Sequence, residues 1–200
     1  TVTGTGMVTL TPDIAYIYIG VHTQNESASA AVAENNTQAQ AVIAAIKAFG
    51  VAEKDIQTTN FSIYPQQQYD NNGVMTGTLF VVDNTVYVTM RDLTKIGDIL
   101  GAAVSSGANN INGIQFDVAD KSQALTDARA QAVADARKQA DELAKAAGVT
   151  LGPIQSISFY NNYPTPVLMD SKAVGGGGAS AVPVSAGQLT ITVDVNVVYE

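Results

Sequence analysis

At 200 residues the chain is long enough to bury a sizeable core, yet only 14 per cent of it is charged, against a usual figure near ~25 per cent. Ten basic against 18 acidic residues leave a net charge of −8, which sets the chain against phosphate backbones and anionic lipid, so nucleic acid is not an expected partner. The absence of cysteine excludes a disulfide framework, a thiolate nucleophile and a cysteine metal site.

The first ten residues, TVTGTGMVTL, alternate Thr, Gly and apolar side chains and read as a strand. They have neither the basic start nor the apolar run of a signal peptide, so an exported protein is expected to have lost that leader already. After the turn Thr11-Pro12-Asp13, Ile14 to Val21 reads as a second strand, and the two look like an N-terminal pair. A helix capped by Asn25 or Ser27 then runs to Phe49, with Val32, Ala39, Val42, Ile43, Ile46 and Phe49 at helical spacing and Gly50 as its stop. This helix holds the longest apolar stretch, AVIAAIKAFGVA, which is too short to cross a bilayer and carries Lys47, so no transmembrane segment is expected.

Ile56 to Tyr69 follows as a strand in which Pro65 demands an edge position or a bulge. The sequence Asp70-Asn71-Asn72-Gly73 marks a turn, and Thr78 to Met90 returns as the second arm of a long hairpin. Asp92 caps a shorter helix with Leu93, Ile96, Ile99, Leu100, Ala103 and Val104 inward, ended near Gly107. Another strand, Ile111 to Val118, comes next. From Ile14 the order is strand, helix, strand, strand, helix, strand, the pattern of a split βαβ, ferredoxin-like core.

The longest helix is predicted over Lys121 to Gly148, where alanines at 124, 128, 132, 136, 140 and 144 make a smooth ridge. Leu125, Val133 and Leu143 add bulk to it, Asp120 with Gln123 resembles a capping box, and Gly148 suits the left-handed residue that ends a helix. Three strands following helix ends are read as opening on the same pair, Ile56-Gln57, Ile114-Gln115 and Ile154-Gln155, and two of these share Gly-Val-x4-Ile-Gln. Duplication and shared turn geometry both account for that recurrence. Residues 161–187, rich in proline and glycine with glycine at 175 to 178, read as a flexible loop. The chain then closes on a strand whose Leu189, Ile191, Val193, Val195 and Val197 alternate with polar residues. The expected fold class is therefore α+β, a mainly antiparallel sheet with a βαββαβ core, an added long helix and further strands, all within one domain over 1–200.

Chemistry has little to work with. His22 is the sole histidine and no nucleophile-elbow sequence accompanies it. Gly4-x-Gly6 is followed by Pro12 and Asp13 where a dinucleotide site needs a helix. The groups Asp70, Asn71, Asn72 and Asp83, Asn84 lack calcium-loop spacing and suit hairpin turns. Asn25, Asn35 and Asn60 begin Asn-x-Ser/Thr sequons. Tyr64, Tyr69, Tyr160 and Tyr163 could serve an interface or be ordinary strand residues. Catalytic, cofactor-binding and metal-ligating residues are accordingly all expected to be none, and no cofactor is expected. The alternative is a carboxylate-based hydrolase whose Asp13, Asp83 or Asp117 meet in a cleft formed on folding.

Four ordered blocks, VTGTGMVTLTPDIAYIYIGV, DIQTTNFSIYP, GANNINGIQFDV and ADARKQADELAKAAGVTLGPIQSIS, resemble the SIMPL-domain family of exported bacterial proteins. The resemblance runs over nearly the whole chain and implies a periplasmic, outer-membrane-associated or secreted protein without assigned chemistry. It also implies a link to oxidative-stress tolerance, recognition as a surface antigen, and self-assembly. Together with the low charge, it leads to the expectation of a non-enzymatic assembly or binding protein, a homo-oligomer with a possible cell-envelope protein partner.

Overall fold

A computed structural model describes residues 1–161, 165–167 and 184–200. Most of the stretch expected to be a flexible loop, and Tyr163 with it, lies outside the described residues. The described chain divides into two compact units, one from 1–12, 118–161, 165–167 and 186–200, the other from 13–117 with 184–185.

The first unit holds strands β1 (Val2–Leu10), β6 (Ile154–Asn161), β7 (Thr165–Val167) and β8 (Gln188–Tyr199), with helix α3 (Ser122–Ala147). β8 is central, pairing antiparallel with β1 along its whole length and with β6 and β7 on its other side. Its alternation works as expected: Ile191, Val193, Val195 and Val197 are buried against Ala124, Ala128, Ala132 and Ala136 of α3. The alanine ridge thus faces the sheet along its length. Leu143 and Val133 sit off that ridge and are exposed instead of adding bulk to the contact. At the helix start Asp120 accepts the Ser122 backbone N–H at 2.9 Å, while Gln123 turns to Asp127, so the expected capping box is replaced by a one-sided cap. Gly148 ends the helix at φ 71°.

α3 comes unusually close to β1. A Cβ added to Gly6 would stand 1.9 Å from the Ala128 carbonyl oxygen, and one on Gly4 would stand 2.1 Å from that of Ala132. The Gly-x-Gly that cannot serve a dinucleotide is a slot for the helix backbone. Two α3 side chains then reach around to the open edge of β1: Thr5 N–H donates to Asp135 at 3.0 Å and Met7 N–H to Gln131 at 3.1 Å. Two donors that an edge strand would leave free are thereby satisfied.

The second unit is the βαββαβ core, β2 (Ile14–Asn25), α1 (Ala28–Ala48), β3 (Ile56–Tyr69), β4 (Met75–Met90), α2 (Ile96–Ser105) and β5 (Asn110–Asp117). Its sheet runs β3-β4-β2-β5, wholly antiparallel, with each βαβ crossover skipping a place. Ala15, Ile17, Ile19 and Val21 of β2 and Val86, Val88 and Met90 of β4 meet Ala39, Val42 and Ile46 of α1 and Ile96, Ile99, Leu100 and Ala103 of α2. β1 and β2, expected as a pair, join different sheets, since the turn at 11–13 carries the chain from one unit to the other. Ile114-Gln115 lies inside β5, beside a register shift and after Gly113 at φ 67°, so the shared pair opens only β3 and β6. Gly50 and Gly148 both stop helices at positive φ, which points to common turn geometry. Val104, expected inward, stands exposed on the wall of an apolar groove of about 490 Å³ with Leu100, Ile111 and Ile114.

Because the Gly6 position meets helix backbone that cannot swing away, Gly6→Ala should lower stability by about 2 kcal/mol or more, read as a drop in thermal midpoint. Ala136→Leu, fully buried on the same ridge, should cost about 1 to 3 kcal/mol. An unchanged midpoint for either would contradict this packing.

Candidate interaction surface

The polar residues singled out in the sequence are placed apart. His22 stands 43 per cent exposed on the face of β2 away from the helices, its Nδ1 2.7 Å from Asp83 Oδ1 across the strand pair. Tyr64 O–H donates to the other Asp83 oxygen at 3.3 Å. Asn109 clamps the histidine backbone, accepting from its N–H and donating to its carbonyl, both at 2.7 Å. On the same face Tyr16 stacks on Tyr87 at 5.3 Å, and Tyr18 tilts against Tyr87 at 5.0 Å. This is a hydrogen-bonded cross-strand cluster of His22, Asp83 and Tyr64.

Asp13 and Asp117 do come together, the Asp13 N–H donating to the Asp117 carbonyl at 3.1 Å. Asp83 does not join them. It pairs with His22, whereas Asp117 pairs with Ile14 eight residues away on β2, about 26 Å along a strand. Of the three carboxylates named for a hydrolase, Asp13 and Asp117 are therefore neighbours and Asp83 stands apart. Asp70 serves its turn, accepting N–H bonds from Asn72 at 2.9 Å and Val74 at 2.8 Å, and Gly73 takes φ 78°. Among the described residues no group of three or more His, Asp or Glu side chains could hold a metal ion.

Asn35 was missed as a core residue, because helical periodicity reads an asparagine as a solvent position. It is fully buried and donates to the carbonyls of Val21 at 2.9 Å and Val82 at 3.2 Å, which tie α1 to β2 and β4. Its sequon is thereby closed to modification in the folded chain. Asn25 instead accepts the Ser27 N–H at 3.0 Å as α1 begins.

What remains exposed is apolar. β3 and β4 pair from Ile56 with Val88 out to Tyr69 with Met75, but β2 stops at the pair Asn25–Phe80. Residues 66–69 and 75–79 therefore form a two-stranded arm past the end of β2, and β3 is an edge strand throughout, as Pro65 requires. Phe61, Ile63, Tyr64, Tyr69, Val74 and Met75 are each between 43 and 60 per cent exposed along this hairpin. Among the described residues no helix side chain hydrogen-bonds to this edge as Asp135 and Gln131 do to β1. Tyr160, at 64 per cent exposed, lies on β6 in the other unit.

A family model described as "SIMPL: Protein of unknown function (DUF541)" matches residues 1–199. The chain is similar to the 26 kDa periplasmic immunogenic protein of Brucella melitensis biotype 1, 33 per cent identical over 207 residues, covering all of this chain and 83 per cent of that protein. It is also similar to the uncharacterized protein YggE of Escherichia coli (strain K12), 32 per cent identical over 186 residues, covering 92 per cent of this chain and 72 per cent of that one. YggE of Edwardsiella ictaluri is 28 per cent identical over 165 residues, with 82 and 69 per cent coverage.

The phenol of Tyr64 ionises above its ordinary range because of partial desolvation and the neighbouring Asp83 carboxylate. Asp83→Asn removes that negative charge, so phenolate forms more readily and the ionisation should move to lower pH. Carbon-13 NMR of labelled tyrosine reads the shift, and an unmoved titration would show that the Tyr64–Asp83 contact is absent in solution.

Proposed function

Because the chain belongs to the SIMPL family, we propose that it is an exported cell-envelope protein that works by binding and self-assembly, without catalysis. A relative named as periplasmic, similar over the whole chain, supports the location. No helix among the described residues is long and apolar enough to cross a membrane. A role in stress tolerance of the envelope is part of the proposal and follows from the family resemblance.

The observation that carries assembly is the hairpin edge. Exposed aromatic and aliphatic side chains gathered on one unguarded strand pair are uncommon on a monomer, and an unpaired edge accepts a further strand. Aromatic residues, enriched at interface centres, make up half of the six exposed hairpin residues. The low charge of the chain accords with surface that another subunit covers. The preferred partner is a second copy, with a cell-envelope protein as the other occupant of the same edge.

Light scattering on a sizing column should find a defined multimer at low and high salt alike, because the contact is apolar. Phe61→Asp with Ile63→Asp should drive it to monomer and leave the circular dichroism spectrum unchanged. A wild-type monomer, or a multimer that survives both substitutions, would refute the hairpin as the interface.

A further inference from the structure

At the end of the second unit the turn after α1, residues 49–55, lies beside the end of β4 and residues 91–95, leaving a crevice of about 350 Å³. Its apolar lining comes from Phe49, Val51 and the buried Met90, and its polar lining includes Lys54, Arg91 and Lys95. Three cations border one crevice in a chain whose net charge is −8.

The two carboxylates there are already engaged. Asp55 receives Arg91 through Nε at 3.1 Å and Nη2 at 2.9 Å, and that guanidinium holds its carboxyl below the usual range. Asp92 receives the N–H and the hydroxyl of Thr94 as the cap of the short turn that precedes α2, and those bonds, the hydroxyl first, keep its carboxyl low as well. Lys95 is held loosely. Its Nζ lies 3.4 Å from the Phe49 carbonyl and 3.5 Å from Asp92 Oδ2, longer than a well-formed bond. Lys54 forms no hydrogen bond or salt bridge among the described residues. The α1 carbonyls of Ile46 and Lys47, which would repel an anion, are closed by the Phe49 and Gly50 N–H groups.

We propose that this crevice binds a small organic carboxylate, its charged end between Lys54 and Lys95 and its apolar body against Phe49, Val51 and Met90. A lysine ammonium has three donors, and neither of these two is saturated. Arg91, committed to Asp55 in a bidentate pair, shapes the wall and does not clasp the ligand. Both lysines are solvent-exposed, so the attraction is screened and the dissociation constant falls in the millimolar range, about 1 mM.

Saturation-transfer NMR on the full chain with hexanoate tests the proposal. Hexanoate should show transfer that equimolar inorganic phosphate does not displace, since phosphate has no apolar body. Lys54→Gln and Lys95→Gln should each weaken it by about threefold and together by about tenfold, with Lys138→Gln on α3 without effect. Absence of transfer, loss equal to that of Lys138→Gln, or displacement by phosphate would each overturn the assignment.

Discussion

The fold of the first unit depends on one close approach, the backbone of α3 laid directly on β1. Ordinary helix-on-sheet packing keeps the two backbones apart by a layer of side chains. Here that layer is missing on both sides, with alanine on the helix and glycine at positions 4 and 6 on the strand, and carbonyl oxygens of the helix fill the space a Cβ would need. Apolar burial is then supplied next door, by the valines and Ile191 of β8 under the same ridge. Close approach also brings Asp135 and Gln131 within reach of Thr5 and Met7, which longer side chains on the ridge would prevent. One compositional choice thus fixes the packing distance and closes a sheet edge.

β1 and β3, an edge strand of each sheet, are treated in opposite ways. β1 has its donors taken by a helix, whereas β3 runs for fourteen residues as an edge with aromatic and aliphatic side chains turned to solvent. Pro65 removes one donor from β3, and register shifts at Thr58/Asn60 and Gln68/Tyr69 break its ladder, devices that natural sheets use to discourage edge pairing. The apolar exposure along β3 is the feature on which the proposed assembly rests. His22 and Asp83 pair with each other, while Asp117 ends β5 beside Asp13 and Ile14, at the other end of β2.

Much of this was legible because it is local. The alanine row, the alternation along β8, the turn at Asp70 to Gly73 and the edge position of Pro65 each follow from a few neighbouring residues and one physical rule, and the split βαβ order follows from counting elements. What was hidden depends on partners distant in sequence. Nothing near β1 says that its partner is β8: the bond from Thr3 to Asn196 spans 193 positions. Asn35 looks polar until the carbonyls of Val21 and Val82 stand beside it. Val104 keeps helical phase with Leu100, yet it borders a groove instead of core. The crevice of Lys54 and Lys95 draws on two segments forty residues apart, and no spacing rule joins them.

The central place of β8 has a consequence for the order in which the chain can fold. β1 precedes and β8 follows every other described strand, and the sheet that holds β1 has no middle until residues 188–199 are in place. The βαββαβ unit between them is complete by Asp117 and can close early. The ladder of β1 closes across most of the described chain, a loop far longer than any within the βαββαβ unit. Completion of the first unit's sheet therefore depends on the most distant strand pairing in the described chain, that between β1 and β8.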